Sequence, residues 1–99
     1  MPIDTKTRSA LKLKNLALPP KPRVLAIEAE DYVDWTGDEA LRIWVTIDEN
    51  TTDEELLNGA AIIQLKGAIH DSLLKKGITL FPYVRIAKPS ERFATNGED

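Results

Sequence analysis

His70 is the chain's only imidazole, and no cysteine accompanies it. Zinc and iron sites usually draw on two or more His or Cys ligands, and imidazole catalysis needs a positioned partner group. The adjacent acid, Asp71, points elsewhere on a helix, so His70 is expected to be structural. Carboxylates are far more abundant. Glu28, Glu30, Asp31, Asp34, Asp38 and Glu39 gather in one stretch, and Asp48, Glu49, Asp53, Glu54 and Glu55 in another. Acid-rich loops can hold Ca²⁺ or Mg²⁺, but neither stretch has the Asp-x-Asp-x-Asp-Gly order with a closing Glu that a calcium loop uses. Both are expected to be solvated acidic faces. No glycine-rich phosphate loop, nucleophile elbow or Ser–His–acid order can be read. The residues therefore point to a protein that is not an enzyme, with no cofactor and no metal.

The basic residues are unevenly placed. Lys6, Arg8, Lys12, Lys14, Lys21 and Arg23 stand against Asp4 alone over residues 1–23, while the whole chain holds 13 Lys+Arg and 16 Asp+Glu for a net charge of −3. A basic arm thus precedes an acidic body. Such an arm can meet nucleic-acid phosphates, an anionic partner, or its own body.

The elements that must position these groups fit into one domain. Ninety-nine residues leave room for one core, and 42% hydrophobic with 29% charged residues is too apolar for a disordered chain. Zero cysteines exclude a disulfide framework and suit a reducing compartment. No apolar run approaches the ~18 residues of a membrane span, and the first residues lack a signal-peptide order. A cytoplasmic protein is expected.

Residues 1–22 read as the basic arm with a Pro-rich linker, 23–88 as an α+β domain and 89–99 as a disordered tail. Leu11, Leu13, Leu16 and Leu18 allow a short helix in the arm, stopped by Pro19, Pro20 and Pro22. Residues 41–47 alternate apolar with polar side chains and are rich in β-branched types, which marks a strand. Residues 24–35 pair with it through a Gly37 turn as an antiparallel hairpin. Thr51 and Thr52 each stand three before a Glu, the spacing of a helix-capping box, and Lys75, Lys76 and Gly77 supply the stop. A helix of roughly 24 residues is expected between them, with a break near Gly59 as the alternative. A third strand follows over about residues 83–87.

The helix carries two apolar stripes. Leu56, Ala60, Ile63, Gly67, His70 and Leu74 form the one expected to lie on the sheet. Ile62, Leu65, Ile69 and Leu73 form a second, left for the arm's leucines or a second copy to cover.

The expected fold is α+β: a three-stranded sheet made of a β-hairpin, a long helix and a third strand, one face covered by the helix. The order is similar in outline to K-homology-like and other split α/β modules, including small ribosome-binding factors. That likeness is topological, since the Gly-x-x-Gly clamp of the K-homology loop does not occur.

Period-two alternation turns Leu41, Ile43, Val45 and Ile47 toward the helix, with Leu25, Ile27, Ala29, Val84 and Ile86. Arg42 and Trp44 then share the other face with Glu28, Glu30, Tyr32, Tyr83 and Arg85. A Trp there favours an interface. The expected function is a small accessory protein acting by protein–protein contact, as a homodimer or complex subunit, through Trp44, Tyr32, Arg42, Arg85 and the second helix stripe. The alternative is a nucleic-acid or ribosome-associated module using the six arm cations with Tyr32, Trp44 and Tyr83.

Overall fold

The computed structural model describes residues 5–94 of the chain. Helix α1 (Thr5–Ala10) and a 3-10 turn (Leu13–Asn15) lead to strands β1 (Val24–Val33) and β2 (Glu39–Ile47). Helices α2 (Asp53–Leu56) and α3 (Gly59–Lys75), strand β3 (Pro82–Ala87) and helix α4 (Pro89–Ala94) follow. The sheet order is β1-β2-β3, with β2 antiparallel to β1 and parallel to β3. The parallel pair requires a long crossover, which α3 supplies. This is the α+β arrangement the alternation and capping signals indicate.

The register follows the period-two reading of β2: Leu41, Ile43, Val45 and Ile47 are all buried. They pack with Leu65, Ile69 and Leu73 of α3. Strand β1 departs from strict alternation. Its register shifts between Val24 and Ala26, so Val24 joins the core and Leu25, expected to face the helix, is 43% exposed. A bulge of this kind inserts one residue and changes which side chain faces inward.

One long helix does not form. Thr52 caps α2 through a complete capping box with Glu55, the chain turns at Leu57, and the Asn58 side chain caps α3 by accepting from the Ala61 N–H at 3.2 Å. Gly59, a weak helix former, becomes the first residue of α3 rather than an interior one. The break also rephases the helix. Without Leu56 in its frame, α3 buries Ala61, Leu65, Ile69 and Leu73 and leaves Ile63 73% and Leu74 48% exposed. The expected assignment of the two stripes is therefore reversed: Leu65, Ile69 and Leu73 are core residues with no exposed surface, and Ile62 is half-buried.

The arm completes the core. α1 lies beside α3 and β1. Ala10 and Leu11 are buried, and Leu16 and Leu18 pack against the same cluster. Ser72 Oγ donates to the Ala10 carbonyl at 2.6 Å and Gln64 Nε2 to the Ala17 carbonyl at 3.2 Å. Pro19 and Pro22 are buried, so the Pro-rich stretch is packed against the body. At the other end, residues 89–94 are helical where a disordered tail is expected. The Lys88 N–H donates to Glu91 at 2.9 Å and Ser90 Oγ to Glu49 at 2.6 Å, which tie that helix down. Residues 95–99 lie outside the described residues.

Candidate interaction site at the β3 edge

The face of the sheet away from α3 presents Glu28, Glu30 and Tyr32 of β1, Arg42 and Trp44 of β2, and Tyr83 and Arg85 of β3, in the register Glu28↔Trp44↔Arg85 and Glu30↔Arg42↔Tyr83. Two cross-strand contacts link these groups. Trp44 Nε1 donates to Glu30 Oε1 at 3.2 Å, and the Arg42 guanidinium lies 3.8 Å from the same oxygen. That guanidinium also sits 4.2 Å above the Tyr32 ring, a cation–π contact. Trp44 is half-buried with its N–H satisfied within the chain. It is on the expected face, but it is not the open aromatic anchor.

A row of aromatics lies further along, half-buried at Tyr32 and Tyr83 and exposed at Phe81 and His70. Tyr32 meets Tyr83 edge-on at 5.4 Å, Tyr83 meets Phe81 at 4.8 Å, and Phe81 meets His70 of α3 at 6.3 Å. This row leads from the open face around the start of β3 to α3. It borders a groove of about 600 Å³, walled by Ile63, Lys66, Gly67 and His70 on the helix side, by residues 81–85, and by Tyr32 and Arg42. Ile63 and Phe81, 73% and 57% exposed, are its apolar rim. A Cβ on Gly67 would meet nothing within 4 Å, so that glycine opens the helix wall of the groove.

Asp34 braces the groove from the hairpin. Its carboxylate accepts from Thr36 Oγ1 at 2.6 Å, from the Thr36 and Asp38 amides, and from the Tyr83 hydroxyl at 3.2 Å. Those bonds, led by the one from the Thr36 side chain, hold the Asp34 carboxyl below its ordinary pKa. Partial burial, and then the Asp34 carboxylate accepting its O–H, push the Tyr83 hydroxyl above its usual value. Gly37, at φ +91°, provides the left-handed residue that this turn needs.

Tyr32, Arg42 and Arg85 thus converge on one groove, while Trp44 lies beside it and Leu65, Ile69 and Leu73 lie beneath it in the core. Alternation alone did not reveal Ile63, Lys66, His70 and Phe81. Their signal was the helix stripe through Ile63, Gly67 and His70, read as facing the sheet. Trp35, at the hairpin tip, is 91% exposed and carries no signal in the alternation.

The arm cations are placed otherwise. Lys6, Arg8, Lys12 and Lys14 are exposed, whereas Lys21 and Arg23 each lie 3.9 Å from an acid of the body, Glu55 and Asp48 respectively. Among the described residues no three His, Cys, Asp or Glu side chains come together as a metal site, and no helix is long and apolar enough to cross a membrane. Comparison with protein-family models, curated proteins and solved structures finds no match to this chain.

Proposed function

We propose that this chain is a non-enzymatic interaction module of the cytoplasm that binds another polypeptide through the groove between α3 and β3. The observation that carries this reading is the exposed pair Ile63 and Phe81, flanked by Tyr32, Tyr83 and Arg85 around one concavity. Aromatic and Arg side chains dominate binding hot spots, and a concave apolar site with few polar groups is the usual form of a binding site. Benzoylphenylalanine placed at Phe81 in the native host tests it. Discrete protein adducts from that position, and none from Leu25 at the β1 bulge, are expected. Adducts that are lost on nuclease treatment, or no adducts, contradict the reading.

A second reading, nucleic-acid or ribosome binding, rests on the four exposed arm cations Lys6, Arg8, Lys12 and Lys14. It is weaker, because Lys21 and Arg23 sit beside acids of the body, whose phosphate-repelling charge dominates the chain. An electrophoretic shift with mixed RNA and DNA that weakens as salt is raised would support it.

A further inference from the structure

We propose that the groove takes an extended, acidic segment of a different protein, which adds as a fourth strand to the outer edge of β3. This rests on the reading of the groove as an interaction site and names its occupant. The Phe81 carbonyl accepts from the Leu41 N–H at 3.0 Å, so it points toward β2. Backbone groups alternate sides along a strand, and those of Tyr83 and Arg85 therefore also face β2. Those of Val84 and Ile86 face away from the sheet. No loop or side chain among the described residues bonds to them. Pro82, which has no N–H to offer, stands at the outward position where none is needed within the sheet. An edge with free amides and carbonyls is a template for another strand.

Charge selects which strand. Arg42, 3.8 Å from Glu30, and Lys66 and Arg85 line the groove and no carboxylate is among its lining residues, in a chain whose net charge is −3. An added strand would alternate its side chains between the helix side, where Ile63, Lys66 and His70 wait, and the open side, where Tyr83 and Arg85 do. Acidic and apolar side chains in alternation fit that pattern. A second copy pairing β3 with β3 in the register centred on Arg85 sets two Arg85 side chains opposite each other, and like charges across a strand pair are destabilising. A nucleic-acid backbone has no amide to give to the outward Val84 and Ile86 carbonyls.

The test uses the full chain and a capped synthetic peptide of alternating Asp and Val, with an alternating Lys and Val peptide and a single-stranded oligonucleotide as comparisons. Amide chemical shifts are followed by nuclear magnetic resonance. The acidic peptide is expected to move the Val84 and Ile86 amides while the two comparison ligands do not. Arg85→Glu should weaken this binding about tenfold, the loss of one charge-assisted contact. Gly67→Leu, which fills the helix wall, and Val84→Pro, which removes an outward N–H, should abolish it. Because Arg85 and Gly67 lie outside the core, undiminished melting of those two variants keeps the result interpretable even if the proline variant misfolds. Unmoved Val84 and Ile86 amides, equal binding of the Lys peptide, preference for the oligonucleotide, or protection of the same amides by dimerisation would each overturn the proposal. If peptides fail while protein adducts still form at Phe81, the groove remains the site and the added strand is wrong.

Discussion

Ser72 Oγ of α3 donates a 2.6 Å hydrogen bond to the carbonyl of Ala10, a residue 62 positions earlier, at the end of α1. That bond and the buried Leu11 make the basic arm part of the core and leave its cations on the outer side of a packed segment.

Removing residues 1–21 is therefore expected to unfold the chain rather than free a tether. A milder version is Leu11→Ala. Leu11 is 4% exposed, and truncating a buried leucine to alanine costs about 2–5 kcal/mol, a large part of the ~5–15 kcal/mol that holds a domain together. Urea unfolding followed by circular dichroism measures the loss.

The two tryptophans should report opposite surroundings. Trp35 is 91% exposed, while Trp44 is half-buried with its N–H on Glu30. With Trp44→Phe the remaining emission should be red-shifted and readily quenched by acrylamide; with Trp35→Phe it should be blue-shifted and protected. Trp44→Phe should also lower stability by about 1 kcal/mol through the lost hydrogen bond, whereas Trp35→Phe should leave it unchanged.

Much of the fold was legible, and the exceptions have local causes. β2 could be placed because a slip of one residue sends Leu41, Ile43, Val45 and Ile47 into water together. The helix face could not, because Leu56 falls in phase with Ile63 and His70 only on an unbroken helix, and the Asn58 cap breaks that phase. Leu25 was misplaced because the bulge beside it has no signature in the alternation. Tyr32, Arg42, Arg85 and Tyr83 were assigned to one face from strand parity alone. The groove itself was not legible, since it exists only once β3 returns parallel to β2 and brings Phe81 beside His70.

Stability should fall at both ends of the pH scale. Hydrogen bonds from Thr36 to Asp34, from Ser90 to Glu49 and from Thr52 to Glu55 hold these carboxyls below their ordinary values of 3.8, 4.5 and 4.5. The folded chain binds those protons less tightly than the unfolded one. Their contribution is thus complete above the ordinary carboxylate range and lost as pH falls through the lowered values. Tyr83 has the opposite sign: its value is raised above 10.0, so its contribution holds below that pH and is lost as pH rises through the raised value. Denaturant midpoints across pH check both limbs, and Tyr83→Phe should remove the Tyr83 contribution to the alkaline one.

Gly67→Ala should stabilise the chain. The site has open space and a helical backbone, and alanine exceeds glycine in helix propensity by about 1 kcal/mol. Thermal melting reads the gain.

The groove as the interaction surface is tested most directly by measuring the adduct yield of a photo-cross-linker at Phe81 with and without Ile63→Asp. Ile63 is 73% exposed, so the substitution should leave the melting temperature nearly unchanged, as surface changes within about 0.5 kcal/mol do. A discrete protein adduct that Ile63→Asp abolishes, with melting preserved, is expected. An adduct unaffected by Ile63→Asp, or none in either case, would contradict it.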